Sequence, residues 1–171
     1  AGEGGDRKAE KGDMFLTDEE EAAIRFCAEH YKHFVLVINC GSAMDMAFAE
    51  EIPGIDAILS ICQLGTEGGN ALADILSGDV SPSGKLSDTW AKQYDDIPFA
   101  KEYSYLNGNL DNEYYKEGIY VGYRYYETRY EDFVMGTGNA GSYTYGDDVA
   151  FPFGYGLSYT NFEFSNMTLS Y

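Results

Sequence analysis

The chain has 171 residues, 44% of them hydrophobic, which suits one domain with a real core and is short for two. Its 29 acidic against 11 basic side chains give a net charge of -18, a field that repels nucleic acid and anionic membrane alike. Both are therefore excluded as partners.

The opening "AGEGGDRKAEKGD" holds one carboxylate, Glu3, between Gly2, Gly4 and Gly5, followed by Asp6 and Arg7. Glycine-rich backbone costs much entropy to order. A glutamate on such a loop can approach a substrate closely and be desolvated, which lifts its pKa into the range of a general acid. Glycoside hydrolysis needs such an acid together with a second carboxylate. The alternative is an incidental side chain on a terminal loop.

"TDEEEAAIRFCAEHY" predicts a helix over 17–31, with Thr17 as N-cap, Glu20 completing a capping box, and Ala23, Ile24, Cys27 and Ala28 at helical spacing. His30 and His33 fall at its end, where the macrodipole favours them. "HFVLVIN" predicts a strand buried on both faces, "GSAMDMAFAEEIPG" a loop with a short helix, and "IDAILSICQLG" a second buried strand. "TEGGNALADILSGD" predicts a helix ending near Gly78. Its glycine-rich turn suits either a phosphate cradle or tight packing, and Glu67 speaks against the phosphate. This alternation indicates an α/β fold with a mostly parallel sheet and helices on both sides, a three-layer sandwich. Its first strand is expected to precede Ala1.

Cys27, Cys40 and Cys62 sit in apolar neighbourhoods and read as small buried hydrophobes in a reducing compartment. No metal site and no cofactor motif is legible. The opening residues lack a signal-peptide pattern and no run reaches membrane-span length, so a bacterial cytoplasmic location is expected.

From "VSPSGKLSDTW" onward the texture becomes irregular and rich in tyrosine, including "YKEGIYVGYRYYETRYEDF" and "FPFGYGLSYTNFEFSN". These rings suit a satellite core or a sugar-stacking platform. "GIYVGYRYYE" carries no decisive helix or strand signal, and "NFEFSNMTLSY" alternates as a strand does. Asn166 begins a glycosylation-type triplet, a short pattern of little weight.

The segments "GEGGDR", "VLVINCGSAMDM", "IDAILSICQLGTEGGNALADILSGDVSPSGKLSDTW", "YKEGIYVGYRYYET" and "FPFGYGLSYTNFEFSN" follow one another in an order that resembles the α/β-sandwich domain of glycoside hydrolase family 3, the family of many β-glucosidases. The resemblance implies a retaining, exo-acting hydrolase of a β-linked glucoside or related oligosaccharide. It implies Glu3 of the "GEG" loop as general acid/base and Asp6 and Arg7 as loop support. It implies an Asp nucleophile on a barrel domain of the same protein outside this chain, with no cofactor. Residues 1–160 would form the sandwich domain and 161–171 the start of a fibronectin-type-III-like β domain. Asp88 of "SDTW" stands in the wrong region to be the nucleophile. Gly5 replaces an aromatic residue common in relatives, and the wording of "GKLSDTWA" suits relatives whose sandwich precedes the barrel. The competing expectation is a non-catalytic carbohydrate-binding or scaffolding domain.

Overall fold

The computed structural model describes residues 8–102, 108–109, 111–112, 114–138, 141 and 143–170. Helix α1 spans Asp18–His30, with Thr17 at its N-cap. Thr17 Oγ1 accepts the Glu20 N–H at 3.1 Å, and the Glu20 carboxylate accepts the Thr17 N–H at 2.9 Å. Four acidic residues in the first turn and His30 in the last complement the helix dipole.

Strand β1, Val35–Ile38, pairs in parallel with β2, Ala57–Ser60, in a register that sets Val35 against Ala57 and Ile38 against Ser60. A parallel pair needs a crossover, and the chain supplies one through the short helix α2, Ala47–Glu51. Helix α3, Gly68–Ser77, follows β2 and stops at Gly78, whose φ of 86° places it in the left-handed region. Its opening is tight: a Cβ on Gly68 would lie 2.2 Å from Leu64 Cβ. Packing therefore explains the glycine there, and the predicted helix ends where expected.

Beyond Gly78 the chain makes strand β3, Trp90–Ala91, two short 3-10 turns, helix α4 over Tyr123–Met135, helix α5 over Tyr145–Asp148, and strand β4, Val149–Phe151. β3 and β4 pair antiparallel with an irregularity between Trp90 and Ala91. Successive strand residues face opposite ways. Trp90 accordingly joins a core of Ile24, Ile38, Met46, Phe48 and Ile52, while Ala91 joins a second core with Tyr126 and Val149. Each large apolar side chain so buried contributes roughly 1.5–3 kcal/mol.

The α/β class and the parallel pairing agree with the sequence, while several details differ. β1 and β2 are half-buried rather than enclosed on both faces, because the core of Ile24, Ile38, Met46, Phe48, Ile52 and Trp90 takes up no residue of α3, whose Leu76 is 52% exposed. The described sheets hold two strands each. "GYRYYE" is helical, as the start of α4. Residues 161–170 form no strand, since no described segment pairs with them. Cys62 is exposed rather than buried, because it lies past the end of β2 with a left-handed φ of 52°.

Candidate functional site

Glu3, Asp6 and Arg7 lie outside the described residues. The described chain begins at Lys8, and the next residues are firmly held. The Lys8 N–H donates to Asp13 Oδ2 at 2.8 Å. The Met14 N–H donates to the Lys8 carbonyl at 3.2 Å, and the Met14 carbonyl accepts the Asp45 N–H at 3.1 Å. Phe15 packs edge-on against the ring of Tyr94, with centroids 6.2 Å apart. The "KGDMF" segment is thus clamped to the loop leaving the C-terminal end of β1, the end at which open α/β sheets place their ligands.

Beside that clamp lies a cleft of about 140 Å³. Met14 and Asp45 form one wall, Gln93 and Tyr94 a second, and Glu117 and Tyr120 of "KEGIYVGY" a third. Asp45 fixes the first two walls to each other: Oδ1 accepts the Ala47 N–H at 3.0 Å and Oδ2 accepts the Tyr94 N–H at 2.9 Å. Both oxygens are committed to backbone, so Asp45 is a structural carboxylate and not a free base. Tyr126 closes the floor and donates its hydroxyl proton to the Asp96 carbonyl at 2.8 Å.

Burial sets the electrostatics. It raises the pKa of Tyr94, with the neighbouring Asp95 adding to the effect. Burial also raises Asp96, reinforced by Asp148, Asp45 and Asp95 and opposed by the Gln93 backbone N–H. Tyr126 is pushed far up by burial and by the negative groups around it. The dominant cation here is Arg129, which lies 4.1 Å over the Tyr143 ring, donates to the Tyr125 hydroxyl at 2.8 Å, and stands 3.9 Å from Asp148. Rings of Tyr143, Tyr145 and Tyr130 stack edge to face around it. The aromatic-rich region is to this extent a second core, the simpler of the two expectations.

The structure brings "PSGKL" and "PFGYGL" together. The Leu86 N–H donates to the Tyr155 carbonyl and the Gly154 N–H to the Leu86 carbonyl, both at 2.8 Å. Lys85 Nζ donates to the Gly156 carbonyl. Other singled-out residues stand apart from the cleft. Asp88 is exposed. His30 Nδ1 is 2.9 Å from the Phe26 carbonyl, and His33 Nδ1 is 3.7 Å from an Asp56 oxygen. Glu67 accepts from Asn70 Nδ2 at the start of α3, where an anion would otherwise sit. Asn166 is exposed, with φ 53°. Among the described residues no group of three or more His, Cys, Asp or Glu is placed to hold a metal, and no helix is long and apolar enough to cross a membrane.

Sequence reasoning missed Asp45 and Arg129. Asp45 follows a strand end in "CGSAMDMA", where a carboxylate can serve backbone amides, but nothing local names Tyr94, 49 residues away, as its partner.

The elements define a domain with parallel α/β pairing and an aromatic-walled cleft beside the strand ends. The chain belongs to the glycosyl hydrolase family 3 C-terminal domain, whose family model matches residues 1–123. It is 39% identical over 165 residues to a beta-glucosidase from Ruminococcus albus, covering 96% of this chain and 15% of that protein. It is 38% identical over 160 residues to beta-glucosidase A from Butyrivibrio fibrisolvens, covering 94% of this chain and 17% of that one. The fold matches beta-glucosidase 3B from Thermotoga neapolitana in complex with glucose, with a TM-score of 0.78, 36% identity, and coverage of 100% of this chain and 22% of that one. The chain therefore spans under a quarter of the length of these relatives.

Proposed function

We propose that this chain is the α/β-sandwich part of a retaining, exo-acting β-glucosidase-like hydrolase, to which it contributes the general acid/base. The observation that carries the proposal is the family membership together with relatives named as beta-glucosidases that match almost the whole chain. Glu3 falls within the matched residues and sits on the "GEG" loop.

In this reading Glu3 protonates the glycosidic oxygen as the aglycone leaves. An Asp on a barrel domain of the same protein attacks the anomeric carbon and forms the glycosyl-enzyme. Glu3, now ionised, deprotonates the water that releases the sugar. Asp6 and Arg7 hold the loop. The substrate is a β-linked glucoside or related oligosaccharide, and no metal or organic cofactor takes part. Residues 1–160 form the three-layer sandwich domain, and 161–171 open a fibronectin-type-III-like domain. The protein works in the bacterial cytoplasm, with the sandwich ahead of the barrel in sequence. Exposed apolar side chains such as Ile119, Leu157 and Phe162, each about three-quarters exposed, suit surfaces covered by the remaining domains. One carboxylate of the pair being elsewhere, the chain alone turns over no glucoside.

The test uses the intact enzyme and aryl β-glucosides with good and poor leaving groups, wild type against Glu3→Ala. The variant is expected to lose roughly 10²- to 10⁴-fold in rate on poor leaving groups and far less on good ones. Azide should restore turnover with glycosyl azide as product. Equal rates for variant and wild type on both substrates overturn the role of Glu3 and favour a non-catalytic carbohydrate-binding or scaffolding domain.

A further inference from the structure

The register of β1 and β2, carried two residues past Ile38 and Ser60, sets Cys40 beside Cys62. One backbone hydrogen bond carries the pairing a step past the strands, and one side chain reaches across the loops beyond it. The Ile61 N–H donates to the Ile38 carbonyl at 3.0 Å, which is the next rung of the parallel ladder. At the position after the cysteines, a Cβ on Gly41 would lie 3.1 Å from the Gln63 side-chain nitrogen. Cys40 and Cys62 are bracketed between these contacts. Neighbouring strands stand about 4.8 Å apart, within the roughly 4.4–6.8 Å between Cα atoms that a disulfide spans.

The two thiols differ in access. Cys62 is exposed, and Cys40 is half-buried against the first core. Cys62 also holds a left-handed φ of 52°, a conformation that costs a non-glycine residue energy and that gathers at working sites. The third cysteine, Cys27, lies on α1 and belongs to neither loop.

We propose that Cys40 and Cys62 are a reversible redox pair, closed to a disulfide by peroxides and reopened by dithiol reductants. The Cys62 thiolate attacks a peroxide oxygen, breaks the O–O bond and becomes a sulfenic acid, releasing hydroxide that takes up a proton to become water. The Cys40 thiolate then attacks the sulfenic sulfur and expels a second hydroxide, which is likewise protonated. Two thiols are oxidised and one hydrogen peroxide is reduced to two waters. A dithiol reverses the bond by exchange and leaves as its own disulfide. The closed form ties the loop that carries the Asp45 wall of the cleft to the glycine-rich turn that opens α3. The pair stands independently of the hydrolase reading.

The wild-type chain, treated with hydrogen peroxide or left reduced, is alkylated, digested and mapped by mass spectrometry. A single intramolecular Cys40–Cys62 linked peptide, lost on dithiothreitol treatment, is expected. Closing a loop of this size should raise the melting midpoint by roughly 5–10 °C. Phenylarsine oxide, which bridges paired thiols, should bind one to one and shield both cysteines from maleimide. In Cys40→Ser the oxidised Cys62 lacks its partner and should be trapped by dimedone as the sulfenic acid. Oxidation of Cys62 to sulfinic acid or to an intermolecular dimer, with Cys40 still a thiol in the wild type, overturns the proposal. So does independent reaction of both cysteines with maleimide in the presence of phenylarsine oxide.

Discussion

The Asp45 carboxylate accepts the Tyr94 N–H at 2.9 Å and, through its other oxygen, the Ala47 N–H at 3.0 Å, and so joins the loop after β1 to the segment after β3. Hydrogen bonds to a charged group contribute about 1.5–3 kcal/mol each when partly shielded from water. Asp45→Ala removes both and leaves two amides to find water. The expected loss is about 3 kcal/mol in urea unfolding, the low end for two such bonds because both are only part-buried. Asp45→Asn keeps one acceptor and should lose about half as much. A neutral Asp45→Ala would mean that the two loops are held by their apolar contacts alone.

Gly156 meets the backbone of Gly84 so closely that a Cβ there would lie 2.4 Å from the Gly84 carbonyl oxygen. The obstacle is backbone, which cannot swing aside, and the same two segments are fastened by the Leu86–Tyr155 and Gly154–Leu86 hydrogen bonds. Gly156→Ala should therefore destabilise the chain by roughly 1–3 kcal/mol. Gly146→Ala is the control, because a Cβ at Gly146 meets nothing within 4 Å. Equal midpoints in thermal unfolding would remove the steric reason for glycine at 156.

Elements that depend on nearest neighbours were legible in the sequence. The Thr17–Glu20 capping box, the stop at Gly78 and the parallel pairing of two apolar runs all follow from local pattern, and all are present. Helix α4 was not legible, because "YRYYETRYEDFVM" has little apolar periodicity and is held through Tyr126 and Arg129, whose partners lie elsewhere in the chain. The cleft escaped for the same reason: its walls come from three distant segments, which only the tertiary fold aligns. Exposure of Cys62 was hidden too, since its neighbours "AILSIC" are apolar but the strand ends before it. The carboxylate singled out from sequence, Glu3, lies outside the described residues, so its proposed role rests on family membership alone.

Thr17 satisfies one of the orphan donors at the start of α1, and the Glu20 side chain returns the bond. Thr17→Ala should cost about 1 kcal/mol, and Thr17→Ser, which keeps the capping hydroxyl, should leave the midpoint unchanged or slightly raised. Far-UV circular dichroism during urea titration reads both. An unchanged midpoint in Thr17→Ala would show that packing of Ile24 and Ala28, rather than the cap, decides whether α1 forms.

The Tyr143 hydroxyl is buried and has no hydrogen-bond partner among the described residues, while Arg129 sits over the ring. Burial, with Asp148 adding and Arg129 opposing, pushes its pKa from 10.0 up to about 12. Burial likewise raises Tyr126 and Tyr145. Below pH 10 the folded and unfolded chains both keep the Tyr143 proton, and its contribution is fully present. Between pH 10 and about 12 the unfolded chain loses that proton and the folded chain retains it, so stability must fall as pH rises through this window. Tyr143→Phe keeps the ring beneath Arg129 and deletes the unpartnered hydroxyl. It should gain about 1 kcal/mol at neutral pH and flatten the decline above pH 10. A loss of stability at neutral pH would show that the hydroxyl is hydrogen-bonded in solution, and an unaltered alkaline slope would assign the decline to Tyr126 and Tyr145.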